Sequence, residues 1–162
     1  MSPPGPKLHP LTPFKAGVRF VQAHDLRVAI KSSGHDYLGR STAKNSLLLW
    51  TAYFKNITFT DHFIVDGSDH GPAVTVGSGV GLKTIYAAAK AQGKMFVGGT
   101  AATVSPAGGY IQGAGHSGFS PLYGLAADNV LRACFSLTPS PTRLKMQFRV
   151  QRRSGRRVVR DC

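Results

Sequence analysis

The sequence predicts a layered α/β (α+β) fold, and three observations carry the prediction. An amphipathic stretch at 14–25 runs directly into a β-branched segment at 27–31. A run of good helix formers at 82–92 is bracketed by short apolar segments on both sides, and the apolar segments between 47 and 76 are spaced like the strands of one sheet. A chain of 162 residues, 42% of them apolar, has about the length of one domain and enough apolar residues for a single core.

Residues 1–13 hold five prolines without periodicity and read as an irregular leader, with no helix before about Thr12. Phe14, Val18, Val21 and Leu26 fall near one helical face, so a helix is expected over 14–25 and a short strand over 27–31 (RVAIK). SSGHDYLGRS follows as a polar, turn-rich loop. Strands are then expected at 47–50 (LLLW), 57–60 (ITFT) and 63–65 (FIV), with DGSDHG at 66–71 as a turn. AVTV at 73–76 is another strand. Residues 82–92 (LKTIYAAAKAQ) form a helix stopped by Gly93, and 95–97 the next short strand. Between 98 and 124 the chain carries eight glycines, the pattern of a backbone that lies close against something. Strand character returns at 129–131.

Charge is unevenly distributed. Lys+Arg number 20 against 7 acids, all of them Asp, for a net charge of +13. Residues 1–131 hold eleven cations and six Asp, whereas 132–162 hold nine cations and one Asp. The basic tail shows no helix or strand period and is expected to be disordered. Its RRSGRR run is what a nucleic-acid-binding arm would use on phosphates, but no such fold accompanies it, so no nucleic-acid partner is expected. No apolar run approaches a membrane span and no signal-peptide pattern opens the chain. Asn56-Ile57-Thr58 is a glycosylation sequon, and the location of the protein is left open. Cys134 and Cys162 make neither a disulfide framework nor a zinc site.

Three segments invite chemistry. GSGVGLKTI at 77–85 lies between a strand and a helix, yet its glycines at 77, 79 and 81 leave Leu82 where a dinucleotide fingerprint needs its third glycine. No acid follows between Asp69 and Asp128, so it reads as a plain strand-to-helix turn. Asp61, His62, Asp66, Asp69 and His70 have metal-ligand chemistry, but their order is that of turn residues and no metal is expected. His35 stands directly after a strand in a loop where Ser33 and Gly34 expose main-chain N–H groups, with Lys31 and Arg40 flanking; such a loop can bind an anion.

Taken in order, VAIKSSGHDYLGRSTAKNSLLLWT, AVTVGSGVGLKTIYAAAKAQGKMFVGG and AATVSPAGGYIQGAGHSGFSPLYGLAADNVL resemble the FAD-binding (PCMH-type) domain of the vanillyl-alcohol oxidase/p-cresol methylhydroxylase flavoproteins. Within that family they are most like the fungal berberine-bridge-enzyme-like oxidases. The resemblance covers roughly 16–131 and rests on the order and spacing of three motifs. It implies two small α/β subdomains binding FAD. In the first loop Ser33, Gly34, His35, Asp36, Tyr37, Arg40 and Ser41 would wrap the pyrophosphate, with His35 bonded to the 8α-methyl of the isoalloxazine ring. In the second, Thr103, Gly108, Gly109, Tyr110, Gly113, Gly115, His116, Ser117, Tyr123, Gly124, Asn129 and Val130 would line the other side, with Asp128 in the same motif.

Ala102 stands where bicovalent members carry a cysteine, which implies a single covalent link through His35. The resemblance further implies an FAD-linked oxidase that takes hydride from an alcohol, sugar or similar small molecule and passes electrons to dioxygen. It divides the chain into a leader (1–13), a partial FAD-binding domain incomplete at both ends (14–131) and a tail foreign to the family (132–162). The catalytic base of the family lies in a C-terminal part with no match here, so no catalytic residue is assigned. A flavin-binding module without turnover, or a nucleic-acid binder acting through the basic tail, is the alternative reading.

Overall fold

The computed structural model describes residues 11–134, 145–149 and 151–152. Helix α1 (Leu11–Ala23) leads into β1 (Val28–Lys31), which pairs in parallel with β2 (Leu47–Trp50), Val28 opposite Leu47 and Lys31 opposite Trp50. Phe14 is buried and meets Phe54 edge-on, ring centroids 5.6 Å apart. Gly17 brings α1 against β2, since a Cβ there would lie 2.6 Å from Leu49 Cδ2. This is one small α/β unit. The helix begins one residue before the expected limit because Pro13 falls in its first turn, where a missing N–H costs nothing.

The second unit is a four-stranded antiparallel sheet in the order β3 (Ile57–Thr60), β6 (Ala73–Gly77), β9 (Lys145–Arg149), β8 (Val130–Cys134). Helix α2 (Leu82–Ala91) lays Leu82, Ile85 and Ala89, spaced three and four apart, into a core with Val74, Val76, Val80, Phe96 and Ala107. Helix and strand thus form two layered units, as the α/β reading requires.

Elsewhere the boundaries shift for local reasons. The expected turn at 66–71 is tighter: only Asp66 and Gly67, at φ +50° and +78°, make the reversal, and Ser68–Asp69 (β5) pairs back on Ile64–Val65 (β4). Asp-Gly is the dipeptide a two-residue hairpin selects. The short strand β7 (Lys94–Met95) pairs with β10 (Gln151–Arg152), not over 95–97. The expectation of disorder across 132–162 is corrected for 132–134, 145–149 and 151–152, which are strand: the flank of β6 supplies a ladder for 145–149, that strand in turn supplies one for 132–134, and β7 pairs with 151–152, none of which local propensity announces. The rest of that expectation lies outside the described residues, as does the irregular leader at 1–10.

Candidate functional site

The first loop leaves the end of β1. Trp50 Nε1 donates to the Ser32 carbonyl at 3.0 Å, and Thr51 N donates to the Lys31 carbonyl at 2.9 Å, so the β1 exit is tied to the β2 exit. The Lys31 ammonium lies 5.1 Å from the centre of the Trp50 ring, a cation–π contact. Gly34 then turns the chain at φ +83°. Beyond it Asp36 accepts from the Arg40 main chain and from Nη2, both at 2.5 Å, and from Nε at 3.0 Å. The Arg40 guanidinium beside it holds the Asp36 carboxyl below its ordinary range, and Asp36 raises Arg40 in turn. Ser41 continues in a single turn of 3-10 helix, Arg40–Thr42. His35 and Tyr37 are both exposed, Tyr37 fully so.

The second loop comes back to the first across nearly seventy residues. His35 Nε2 lies 2.8 Å from Thr103 Oγ1, and Ser105 N donates to Ser33 Oγ at 3.1 Å. Gly108 faces Ser32, whose Cβ and Oγ would be 3.0 Å from a Cβ at that position. Both loops are also tied to the turn before α2: the Ser78 carbonyl accepts from Ser32 Oγ at 2.7 Å and from Ser105 Oγ at 2.8 Å.

The glycines of the second segment divide into two groups. Gly115, at φ +69°, would push a Cβ to 2.8 Å from the Tyr110 ring and 2.9 Å from Ala126, and Gly124, at φ +76°, to 2.8 Å from Asp128 Oδ2; the protein's own backbone demands these two. Gly109 has no such demand, since a Cβ there meets nothing within 4 Å and its φ is not positive. A glycine the chain does not need for itself, exposed six residues beyond Thr103 on the same loop, is the kind of cradle that an approaching ligand fills. FAD fits this donor set of main chain, hydroxyls and one exposed imidazole.

Other residues of the predicted set are engaged internally. Tyr110 donates to the His116 carbonyl at 2.8 Å and packs on Gly99 and Gly115. Burial raises its phenol, and burial together with the neighbouring Tyr110 pushes Tyr86 up to about 12. Ser117 Oγ accepts from Phe119 N, and buried Asn129 donates to the carbonyls of Tyr123 and Leu125, both at 2.9 Å. Val130 packs on the core cluster. Gly113 is in ordinary contact with the turn behind it, and His116 is exposed. In the acidic hairpin His62 pairs with Asp69 at 2.7 Å and Lys94 with Asp61 at 2.6 Å; among the described residues no group of three or more His, Cys, Asp or Glu could hold a metal. No helix among them is long and apolar enough to cross a membrane.

The FAD binding domain family model matches residues 14–139. The chain belongs to this family. The match runs past Leu131, eight residues into the segment read as foreign to it. As a member, the chain is 46% identical over 118 residues to the FAD-linked oxidoreductase patO of Aspergillus clavatus, an alignment spanning 73% of this chain and 20% of the relative. It is also 46% identical over 117 residues to the VAO-type flavoprotein oxidase VAO615 of Thermothelomyces thermophilus, over 72% and 20% of the two chains. The crystal structure of VAO-type flavoprotein MtVAO615 from Myceliophthora thermophila superposes with a TM-score of 0.78 at 36% identity, covering 85% of this chain and 30% of that one. Glucooligosaccharide oxidase from Acremonium strictum shares the fold, with a TM-score of 0.69 at 16% identity over 85% and 32%. This FAD binding domain therefore spans about a fifth of the length of the curated relatives it matches.

Sequence reasoning missed Ser32, Trp50, Ser78 and Ser105. Their contacts join residues 18 to 72 positions apart, and a serine in a small-residue segment carries no signal of such a partner.

Proposed function

We propose that this chain is the cofactor-binding domain of an FAD-linked oxidoreductase, holding FAD between the 32–41 and 103–117 loops and attached to it through His35 alone. The observation that carries the proposal is the exposed His35 ring held at 2.8 Å by Thr103, on a loop that also carries Gly109, an exposed glycine that nothing in the protein requires. When bound, FAD takes hydride from a donor carbon and passes the electrons on to dioxygen. The protein's own part is binding and orientation. Gly34 reverses the chain at φ +83°, and a left-handed residue in a polar turn gives the concave main chain that receives phosphate oxygens. Asp36 is occupied in neutralising Arg40, so the loop keeps its shape without presenting a free carboxylate to an anionic ligand. The Thr103 hydroxyl engages Nε2 of His35, which leaves Nδ1 as the nitrogen for attachment. Gly109 keeps the opposite wall free of a Cβ atom, while Gly108 lets the second loop close on Ser32. The donor is a small alcohol or sugar, in keeping with the family resemblance.

The test is the absorbance spectrum and intact mass of the purified chain expressed with flavin present. Yellow protein heavier by one flavin, with the added mass lost in His35→Ala, is expected. Colourless wild-type protein of unmodified mass overturns the proposal.

A further inference from the structure

The GSGVG turn departs from the dinucleotide fingerprint at Leu82 and lies outside both proposed cofactor loops. Its geometry gives it another task. Gly77 and Gly79 sit so close to the chain after β2 that a Cβ would fall 2.2 Å from the Phe54 carbonyl oxygen and 2.5 Å from that of Ala52. Gly77 N donates to the Asn56 carbonyl and Gly79 N to that of Phe54, both at 2.9 Å. The turn is thereby pinned between β6 and the β2 exit. From this fixed position the Ser78 carbonyl receives one hydroxyl from each loop, Ser32 at 2.7 Å and Ser105 at 2.8 Å, with Thr51 as a longer third donor at 3.4 Å. The Ser78 hydroxyl itself is buried and has no partner. A carbonyl has two lone pairs, and the two short bonds use both.

We propose that the Ser78 carbonyl is the post that registers the two cofactor loops against each other, with Ser32 and Ser105 as positioning residues for FAD binding. Neither hydroxyl contacts the ligand in this role. Each fixes its own loop, so that His35 meets Thr103 and Gly108 lies against Ser32. The inference rests on the proposed FAD-binding function and adds to it which residues set the spacing of the cradle. A net hydrogen bond of this type is worth about 1 kcal/mol, roughly a fivefold change in an equilibrium constant.

Two measurements on the full chain test it. In a His35→Ala background, where FAD binds reversibly, Ser32→Ala and Ser105→Ala should each weaken FAD binding about fivefold by flavin fluorescence. The double variant should weaken it by far less than the product of the two, because releasing either loop already loses the register. In the apo chain, hydrogen exchange should rise in both 32–37 and 103–110 when either serine is replaced, and stay unchanged over residues 85–91 of α2, beyond the Leu82 and Lys83 amides that donate to Val104 and Ala102. If Ser105→Ala does not fold, Ser32→Ala with the exchange readout serves alone, since it removes the other short bond to the Ser78 carbonyl. Fully multiplicative effects, or exchange rising only in the substituted loop, overturns the inference. A parent that binds no FAD yet shows the paired exchange response overturns the functional reading and leaves the registration standing.

Discussion

At the scale of single residues, the same amino acid does opposite work a few positions apart. Gly79 has backbone oxygens of Thr51 and Ala52 within 2.6 Å of where its Cβ would be, so Gly79→Ala must move main chain and should cost about 1–3 kcal/mol in chemical denaturation. Gly109 has open space and an unstrained φ. Gly109→Ala should therefore leave the denaturation midpoint unchanged or slightly raised, while weakening FAD uptake at least tenfold if the cofactor approaches there; equal uptake would place the cofactor elsewhere. Tyr86 gives a pH signature. Its hydroxyl donates to the Gly99 carbonyl at 2.5 Å, and burial pushes its pKa to about 12. Between about pH 10, where the unfolded phenol ionises, and that value, only the unfolded state loses the proton, so stability falls as pH rises through this window. Tyr86→Phe should flatten that fall when urea midpoints are compared between pH 9 and 11.

At the scale of elements, α2 is the piece most directly written in the sequence. Leu82, Ile85 and Ala89 are fully buried at helical spacing, and Ile85→Ala should cost about 2–5 kcal/mol by urea unfolding. The strands at 47–50 and 57–60 are equally legible, because short β-branched or apolar runs between polar breaks have few other solutions. Strand β9 is not legible. Lys145–Arg149 has a strand partner on either flank, Val76 opposite Met146 on one side and Ala133 on the other, and those partners, not its own propensities, make it a strand. The site divides in the same way. His35, Gly108 and Gly109 could be read from motif order, whereas the serine bonds that hold their loops join segments distant in sequence. Two of the five glycines of the second motif are also ambiguous: Gly115 and Gly124 answer to positive φ and to Tyr110, Ala126 and Asp128, a demand that looks the same in sequence as a ligand's.

At the scale of the whole molecule, the organising fact is where β9 lies. The sheet order puts it between β6 and β8, and it begins after the last residue of the family match, at 139. Val74 and Val76 of β6 are fully buried and belong to the core on which α2 packs, so an unpaired flank of β6 would expose main-chain groups beside the most apolar part of the molecule. Pairing Ala73–Gly77 with five residues of a basic segment satisfies that flank and joins β8 to the sheet, since β8 pairs with β9 and not with β6 directly. Residues 132–134 and 145–149 of the basic segment are then structural members of this sheet. A chain ended after residue 144 should lose this bridge: β8 would be left without its ladder, β6 with one partner, and the exposed flank free to pair between molecules. The expected outcome is a lower melting temperature and concentration-dependent light scattering at temperatures where the full chain stays clear. Identical melting of the two chains would mean that β6 and β8 hold without the strand between them, and a sheet with β9 at its centre would have to be abandoned.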